Sequence, residues 1–477
     1  MSSRFVHILA AVSITLSSAM PVFAHVVEPE PVYDERAGAE AAQYLSKYLQ
    51  IDTTNPPGNE KLGAEYLAGI FKNEGIEAEI IPTGTDSRAC VYARLKGNGK
   101  KKGIVLLNHI DVVPAQAKDW KYPPFGGEIH DGEIWGRGAL DMKSFGIAAL
   151  EVMLQLKRRG VVLDRDIVFL GTPDEEVGGQ HGAGWVKKNR PDLVDGCEYL
   201  LNEGAAIEAD SSGKTLYWGV DVAEKSVLWL KVTATGDASH ASMPVKDSAP
   251  NRLVRALNRL VDAPTELSIL PVVQKYFTAV SEIAPKELKS SYLNLEAAAK
   301  DPRQVDLLMQ DKLRAAMLRN TVSLTVLKGG YKTNVIPAEA SAELDCRLLP
   351  GVKSEDFIAH IKGILADDSL KIEVLDWVTA MPSPEKSDLF AAIKKVADEE
   401  SKVNKLTAPI LVVPVVVGWF TDSHWFRELG LIGYGFEPFE NDPAHQASVH
   451  GKNERIPLSV LTKGVYRLEQ VLLNLSQ

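Results

Sequence analysis

Acids and imidazoles stand at the ends of apolar runs in this sequence, where aliphatic residues would pack better. The stretch "LLNHIDVVP" reads as a buried strand as far as Asn108, then delivers His109 and Asp111 before Pro114 stops it. Asp141 precedes a helical stretch, Glu175 and Glu176 follow the apolar run "DIVFLGTP", and Glu203 lies at the end of "CEYLLNEG". Carboxylates gathered in one crevice repel one another, and some take up protons unless a cation compensates them. With histidine present and no cysteine among these residues, the expected cation is zinc, with cobalt or manganese as alternatives. Such a cation would activate a water and polarise a carbonyl under attack. Singly, each residue has a plainer reading: a satisfied histidine at a strand end, a solvated turn at "DEE", a helix N-cap at Asp141. Their joint arrangement favours a metal centre.

The elements that must position these residues alternate between strand and helix. Strands are expected at "ACVYARLKG", "GIVLLNHIDVV", "DIVFLGTPDEE" and "CEYLLNEGA", with helices at "AEAAQYLSKYLQI", "SFGIAALEVMLQLKRRG" and "HGAGWVKKNR". This is the pattern of an α/β fold with a mostly parallel sheet, and such sheets collect ligands at the carboxyl ends of their strands. The pattern changes after residue 225. "SVLWLKVTATG", "TVSLTVLKGG", "EASAELDCRLLPG" and "LKIEVLDWV" alternate in polarity and are separated by helices, which suggests an α+β unit with one solvated sheet face. The expected organisation is a catalytic domain in two parts, 25–225 and 379–477, with 226–378 inserted between them. The long helical stretch 265–319 receives no role from the sequence.

Composition narrows the function classes. The 477 residues carry a formal net charge of -10 and contain no run of Lys and Arg interleaved with aromatics, so nucleic acid is not an expected partner. Residues 1–24, with Arg4, the apolar "ILAAVSITLSSAM" and "VFA" before the break, read as a signal peptide. The expectation is therefore a secreted or periplasmic protein with no stable membrane span after cleavage. The three cysteines, Cys90, Cys197 and Cys346, make neither a disulfide framework nor a thiolate metal site, and at most one pair could bridge.

The motifs "NHIDVVP", "DGEIWGRGALDMK", "TPDEEVGG", "LLNEG", "GDASHASMP", "TNVIPAEASAELDCRLLPG" and "SVHGKNERI" occur in that order. In this the chain resembles the M20 family of metallopeptidases, whose members include aminoacylases, glutamate carboxypeptidases and succinyl-diaminopimelate desuccinylases. The resemblance implies a zinc-peptidase catalytic domain and a ferredoxin-like lid or dimerisation domain. It implies two zinc ions, one held by His109 and Glu203, the other by Glu176 and His450, with Asp141 bridging both. Glu175 is then the general base, and Asp111 orients the His109 imidazole. His240 corresponds to the family histidine that stabilises the oxyanion, often from across a dimer, and Asn334 with Arg347 to the substrate-anchoring pair, the guanidinium matching a substrate carboxylate.

Two departures from the family pattern bear on pocket shape: Ser144 and Phe145 follow "DMK", and the usual Gly-Gly-Thr-Asp stretch reads "GWFTD" with Trp419 and Phe420. Family members with Glu at the position of Glu203 tend to be deacylases and carboxypeptidases. The expected activity is thus an exported di-zinc hydrolysis that releases an amino acid from N-acyl amino acids or short peptides bearing a free carboxylate, by a homodimer. The alternatives are a dipeptidase or succinyl-type deacylase on the same site, and a non-catalytic dimeric scaffold that binds metal or peptide.

Overall fold

The computed structural model describes residues 33–476, so the expected signal peptide lies outside the described residues. The fold is organised by two short strands, Gly103–His109 and Ile167–Thr172, in which every residue is buried. A strand apolar on both faces needs cover on both. Ile104, Leu106 and Phe169 share one apolar core with helices Glu35–Leu49, Lys143–Arg158 and Leu458–Leu475 on one side. Val105, Leu107, Val168 and Leu170 pack against Ala183, Val186 and Phe426 on the other.

These strands lie inside an eight-stranded sheet of spatial order Ala78–Pro82, Ala89–Leu95, Ile167–Thr172, Gly103–His109, Cys197–Ala209, Ile432–Asn441, Thr215–Glu224 and Val412–Val417. The central pairings, among strands 167–172, 103–109, 197–209 and 432–441, are parallel. Ile104 to His109 pair with Ile167 to Thr172, so both strands end at the same level, and residues leaving them emerge on one edge. Helix Lys143–Arg158 begins with a buried lysine whose Nζ donates to the carbonyls of Ile51 (2.8 Å) and Tyr48 (3.3 Å). That contact ties the end of helix Glu35–Leu49 to the segment that carries Asp141. Helix Glu60–Asn73, which the sequence reading passes over, covers Ala89–Leu95.

A second sheet is formed by Ser226–Thr235, Thr321–Gly329, Glu339–Leu348 and Lys371–Val378, all antiparallel. Numbered in chain order its strands lie 2-3-1-4, and helices Ala249–Val261 and Ser354–Leu365 cover one face, a ferredoxin-like arrangement. The short helices between Pro271 and Ala316 join a different core. Val273, Tyr276, Phe277, Tyr292 and Leu308 pack on Tyr217 and Val413 to Val417, at the far edge of the eight-stranded sheet.

One buried ion cluster closes the larger core. Arg467 is wholly buried and donates to Glu400 (2.6 and 2.8 Å), Glu440 (2.8 Å) and the Pro438 carbonyl (3.2 Å), joining helices Asp388–Val403 and Leu458–Leu475 to strand Ile432–Asn441. Removing the cation leaves the buried Glu400 without compensation and Glu440 with Lys463 alone, at 3.1 Å. Arg467→Met should therefore destabilise the fold by about 3–5 kcal/mol. Urea unfolding checks this, and an unchanged midpoint would contradict it.

Candidate metal centre

The edge defined by the two buried strands is where the acids and imidazoles meet. His109 is the last residue of its strand, and Glu175 and Glu176 open a single turn, Glu175–Val177, that follows Ile167–Thr172. Glu203 comes from strand Cys197–Ala209, whose Leu201 pairs with Leu106, so Glu203 stands beside the end of the histidine's strand. Asp141 precedes helix Lys143–Arg158, and His450 arrives from the C-terminal part of the chain in a left-handed backbone conformation with φ 55°.

Asp141 sits at the middle of the arrangement. Its Oδ1 lies 2.9 Å from His109 Nε2 and its Oδ2 2.9 Å from His450 Nε2. Glu203 Oε1 is 3.8 Å from the same His109 nitrogen, and Glu176 Oε2 is 3.1 Å from His450 Nε2. Two donor triads result, His109–Asp141–Glu203 and Asp141–Glu176–His450, each with its ligand atoms within 4.8 Å of one another. Within this cluster Glu203 Oε1 is buried without a hydrogen-bond partner. An oxygen left so is costly unless something positive faces it. Two nitrogen and several carboxylate donors, one of them shared, suit a pair of divalent cations.

Electrostatics point the same way. Burial, then the Glu203 charge, holds the Glu175 carboxyl well above the ordinary range, and burial with Asp141 pushes Glu176 up to about 7. Burial also raises Glu203. Hydrogen bonds to Asp141 and Glu176 lift His450 to about 10. Burial alone would lower His109, but the carboxylates of Glu203 and Asp141 outweigh it and raise the imidazole well above its usual value. Protons thus occupy the place that cations would neutralise. Because a histidine binds a cation only when neutral, cation binding must expel these protons. The apparent zinc affinity of metal-stripped protein should rise between about pH 6 and about pH 8, by about tenfold per unit for each proton released. A pH-independent affinity in calorimetric titrations would contradict this.

The groups behind the donors fix their orientation. His109 Nδ1 donates to the Asp111 main-chain carbonyl at 2.9 Å, leaving Nε2 free to face the triad. Asp111 thus orients the imidazole as the resemblance implies, through its main chain, while its Oδ1 stands 3.7 Å from the same nitrogen. That carboxylate instead accepts the backbone N–H groups of Glu175 and Glu176, both at 3.1 Å. Glu454 accepts the N–H groups of Gly138, Leu140 and Asp141 (3.0, 2.7 and 3.0 Å) and the Arg137 guanidinium, so it shapes the segment that presents Asp141. In the sequence Glu454 stands out only as part of the motif "SVHGKNERI". Glu437, a half-buried acid pushed up to about 8 by desolvation and the charges of Glu203 and Asp141, went unremarked; the clue was an acid inside the apolar run "GYGFEPF".

His445 is held between Asp442 (2.8 Å) and Glu133 (2.9 Å), and His424 Nδ1 donates to the Thr421 carbonyl at 2.7 Å. It is His450 that faces Asp141 and Glu176. His240 and Asn334 are neighbours: His240 pairs with Val335 in a two-residue ladder, and the Ala241 N–H donates to the Asn334 carbonyl at 3.1 Å. Ser242 N–H donates to His240 Nδ1 at 3.1 Å, which leaves the exposed Nε2 as the N–H donor. Arg347 forms a two-pronged pair with Asp345 (2.7 and 3.0 Å) under the Phe420 ring. Among the described residues, no hydrogen bond or ion pair joins His240, Asn334 or Arg347 to the two triads.

A family model described as Peptidase family M20/M25/M40 matches residues 105–474. The chain is 30% identical over 362 residues to the probable carboxypeptidase S-like 2 of Dictyostelium discoideum, covering 75% of this chain and 68% of that one. It is 28% identical over 432 residues to aminoacylase-1 of Sus scrofa, covering 89% and 93%. Among solved structures, the M20 family metallo-carboxypeptidase Sso-CP2 from Sulfolobus solfataricus superposes with a TM-score of 0.71 at 20% identity, covering 92% of this chain and 99% of that one, which shows a shared fold.

Proposed function

The chain belongs to peptidase family M20/M25/M40, a family of metal-dependent hydrolases, and from that premise we propose that it releases an amino acid from N-acyl amino acids or short peptides with the help of two zinc ions. The observation that carries the reading is the shared carboxylate: Asp141 offers one oxygen to each histidine at 2.9 Å, with Glu175 directly before the ligand Glu176. The residues that would hold two divalent cations are His109, Asp141, Glu203, Glu176 and His450, and cations held there would supply an activated water and a polarised carbonyl.

The remaining work falls to the chain's own side chains. Glu175 is not among the triad residues, and its carboxyl is biased toward the protonated form by burial and by Glu203. A carboxylate whose proton affinity is raised is a stronger base than an exposed one, so it takes the water's proton and passes it to the departing amine. His240 Nε2–H donates to the developing oxyanion once the two sheets approach, in a homodimer from the partner copy. Asn334 and Arg347 receive the substrate carboxylate, which competes with Asp345 for the guanidinium. Residues 226–378 act as the lid and dimerisation domain in this reading.

Export through the signal-like segment 1–24 is part of the proposal, supported by its charged start, apolar centre and small residues before the break. Among the described residues no helix is long and apolar enough to cross a membrane.

The test is release of free amino acid by zinc-loaded protein beginning at His25, from matched N-acetyl amino acids and dipeptides. Faster turnover of the acetylated set supports an aminoacylase-like activity. Faster turnover of dipeptides moves the assignment to a dipeptidase, and turnover confined to succinylated amines to a deacylase of that type. Silence from all three classes at full zinc loading would reject the hydrolytic reading in favour of a metal- or peptide-binding scaffold.

A further inference from the structure

We infer that Asn55 and Arg88, which lie outside the motifs of the family resemblance, are positioning residues that hold the Glu175–Glu176 turn in place against the cation pair. The inference rests on the roles proposed above for Glu175 and Glu176.

The turn starts from an unfavourable backbone. Asp174 adopts a left-handed conformation, φ 77° and ψ 5°, which is unfavourable for a non-glycine residue and persists only where the surroundings enforce it. The enforcement is visible. Asp174 Oδ1 accepts the Arg88 guanidinium through Nη1 and the Asn55 amide at 3.4 Å, and Oδ2 accepts the His181 N–H at 2.8 Å. Its carbonyl accepts from Gly179 (2.7 Å) and Val177 (3.2 Å), which closes the turn.

A second hold comes from Asp111, whose two oxygens take the consecutive N–H groups of Glu175 and Glu176. Asn55 connects the two holds. Its Nδ2 donates to Asp111 Oδ2 at 2.9 Å as well as to Asp174, and its Oδ1 accepts from Arg88 Nη2 at 2.8 Å, which fixes the sense of the amide. A continuous path therefore runs from Arg88 through Asn55 and Asp111 to the main chain of the base and the ligand.

Burial makes the path energetically demanding. Asn55, Arg88, Asp111 and Asp174 are at most 8% exposed, and two adjacent buried carboxylates need a counter-charge, which Arg88 supplies. Its planar fork reaches Asp174, Asn55 Oδ1 and the Pro57 carbonyl (3.2 Å) at once, a geometry that a lysine lacks. The fit is close enough to dictate its neighbour. Gly58 has φ +89°, and a β-carbon there would come within 2.8 Å of Arg88 Nε and 2.7 Å of Glu60 Oε2.

The placement of the network gives it a selective signature. Asp141 and Glu203 hang on other segments, and His109 is held by the Asp111 main-chain carbonyl and not by its carboxylate, so loosening the Asp174 turn should disturb Glu175 and Glu176 first. The experiment compares Asn55→Ala, Arg88→Lys and Arg467→Met in the mature chain. Stepwise zinc binding to metal-stripped protein is followed by calorimetry, alongside kcat and KM. Asn55→Ala and Arg88→Lys should each weaken one of the two zinc steps by about 10- to 100-fold and lower kcat by a similar factor, with KM and the other step changed by less than about threefold. Arg467→Met should lower thermal stability and leave both steps intact. Two wild-type binding steps in both variants would overturn the inference, as would equal weakening of both steps with a lowered melting temperature. If the wild-type chain hydrolyses nothing, the zinc steps still decide the matter independently of the functional reading. Should Asn55→Ala fail to fold, Arg88→Lys, which keeps the charge, is read by the same criteria.

Discussion

Glu175→Ala protein is expected to bind two zinc ions per chain, melt no lower than wild type, and turn over substrate about 10³-fold more slowly, within the 10²–10⁴-fold range of general acid–base catalysis. The rate loss follows from position: Glu175 is adjacent to Glu176 without belonging to either donor triad, so in the proposed mechanism its removal deletes a proton acceptor and leaves the candidate cation donors in place. Stability should hold because the side chain is an acid whose ionised form is disfavoured by desolvation and by Glu203. Taking away such a group relieves a desolvation cost, and active-site acids are commonly a burden on the fold that carries them. The kinetics should also be separable. KM should stay within about threefold, since the lost interaction belongs to the transition state and not to substrate binding. Equal activity at equal zinc content would remove Glu175 from the mechanism.

Asp141→Asn is expected to produce the second large effect, through a different quantity. The wild-type carboxylate directs one oxygen to each histidine, so it is the one residue common to both triads. An asparagine of the same shape offers one oxygen and a pair of N–H donors that point at whatever sits beside them. One triad loses its ligand and the other loses the charge. Zinc content should fall from two ions per chain to one or none, and kcat should fall by well over the ~10²-fold that marks the loss of a partner behind a ligand. Mass-spectrometric metal counting on desalted protein, with kcat measured on the same sample, tests both statements. Two retained zinc ions would mean that another residue bridges, and Glu437, the nearby half-buried acid, would be the first to examine.

The donors were readable in the chain because each is an acid or imidazole where packing alone would choose an aliphatic residue. His109 closes a strand that is buried throughout, and Glu203 interrupts another. Parallel pairing then brings them to one edge, which alternating strands and helices anticipate. The residues that hold the donors were not readable in the same way. Glu454 supports Asp141 across 313 positions of sequence, and Asn55 meets Asp174 across 119, separations at which local pattern carries no information. Asp111 shows a subtler gap: the motif predicts that it serves His109, but whether the carbonyl or the carboxylate does so depends on where the Glu175 and Glu176 amides arrive. Helix Glu60–Asn73 escaped notice because Gly63 and Gly69 interrupt "EKLGAEYLAGIFKN"; a β-carbon on Gly63 would come within 2.6 Å of Ile110. Chain order also cannot say which core a segment joins. Residues 271–316 lie between strands of the four-stranded sheet in sequence, yet their aromatics pack on Val413 to Val417 of the eight-stranded one.

The most direct measurement is an anomalous difference map at the zinc absorption edge from crystals of the zinc-loaded protein. Two peaks are expected, one among His109, Asp141 and Glu203 and the other among Asp141, Glu176 and His450, with Asp141 reaching both at about 2.0–2.2 Å. A single peak, or peaks held by other residues, would contradict the shared-carboxylate centre on which the proposed hydrolysis depends.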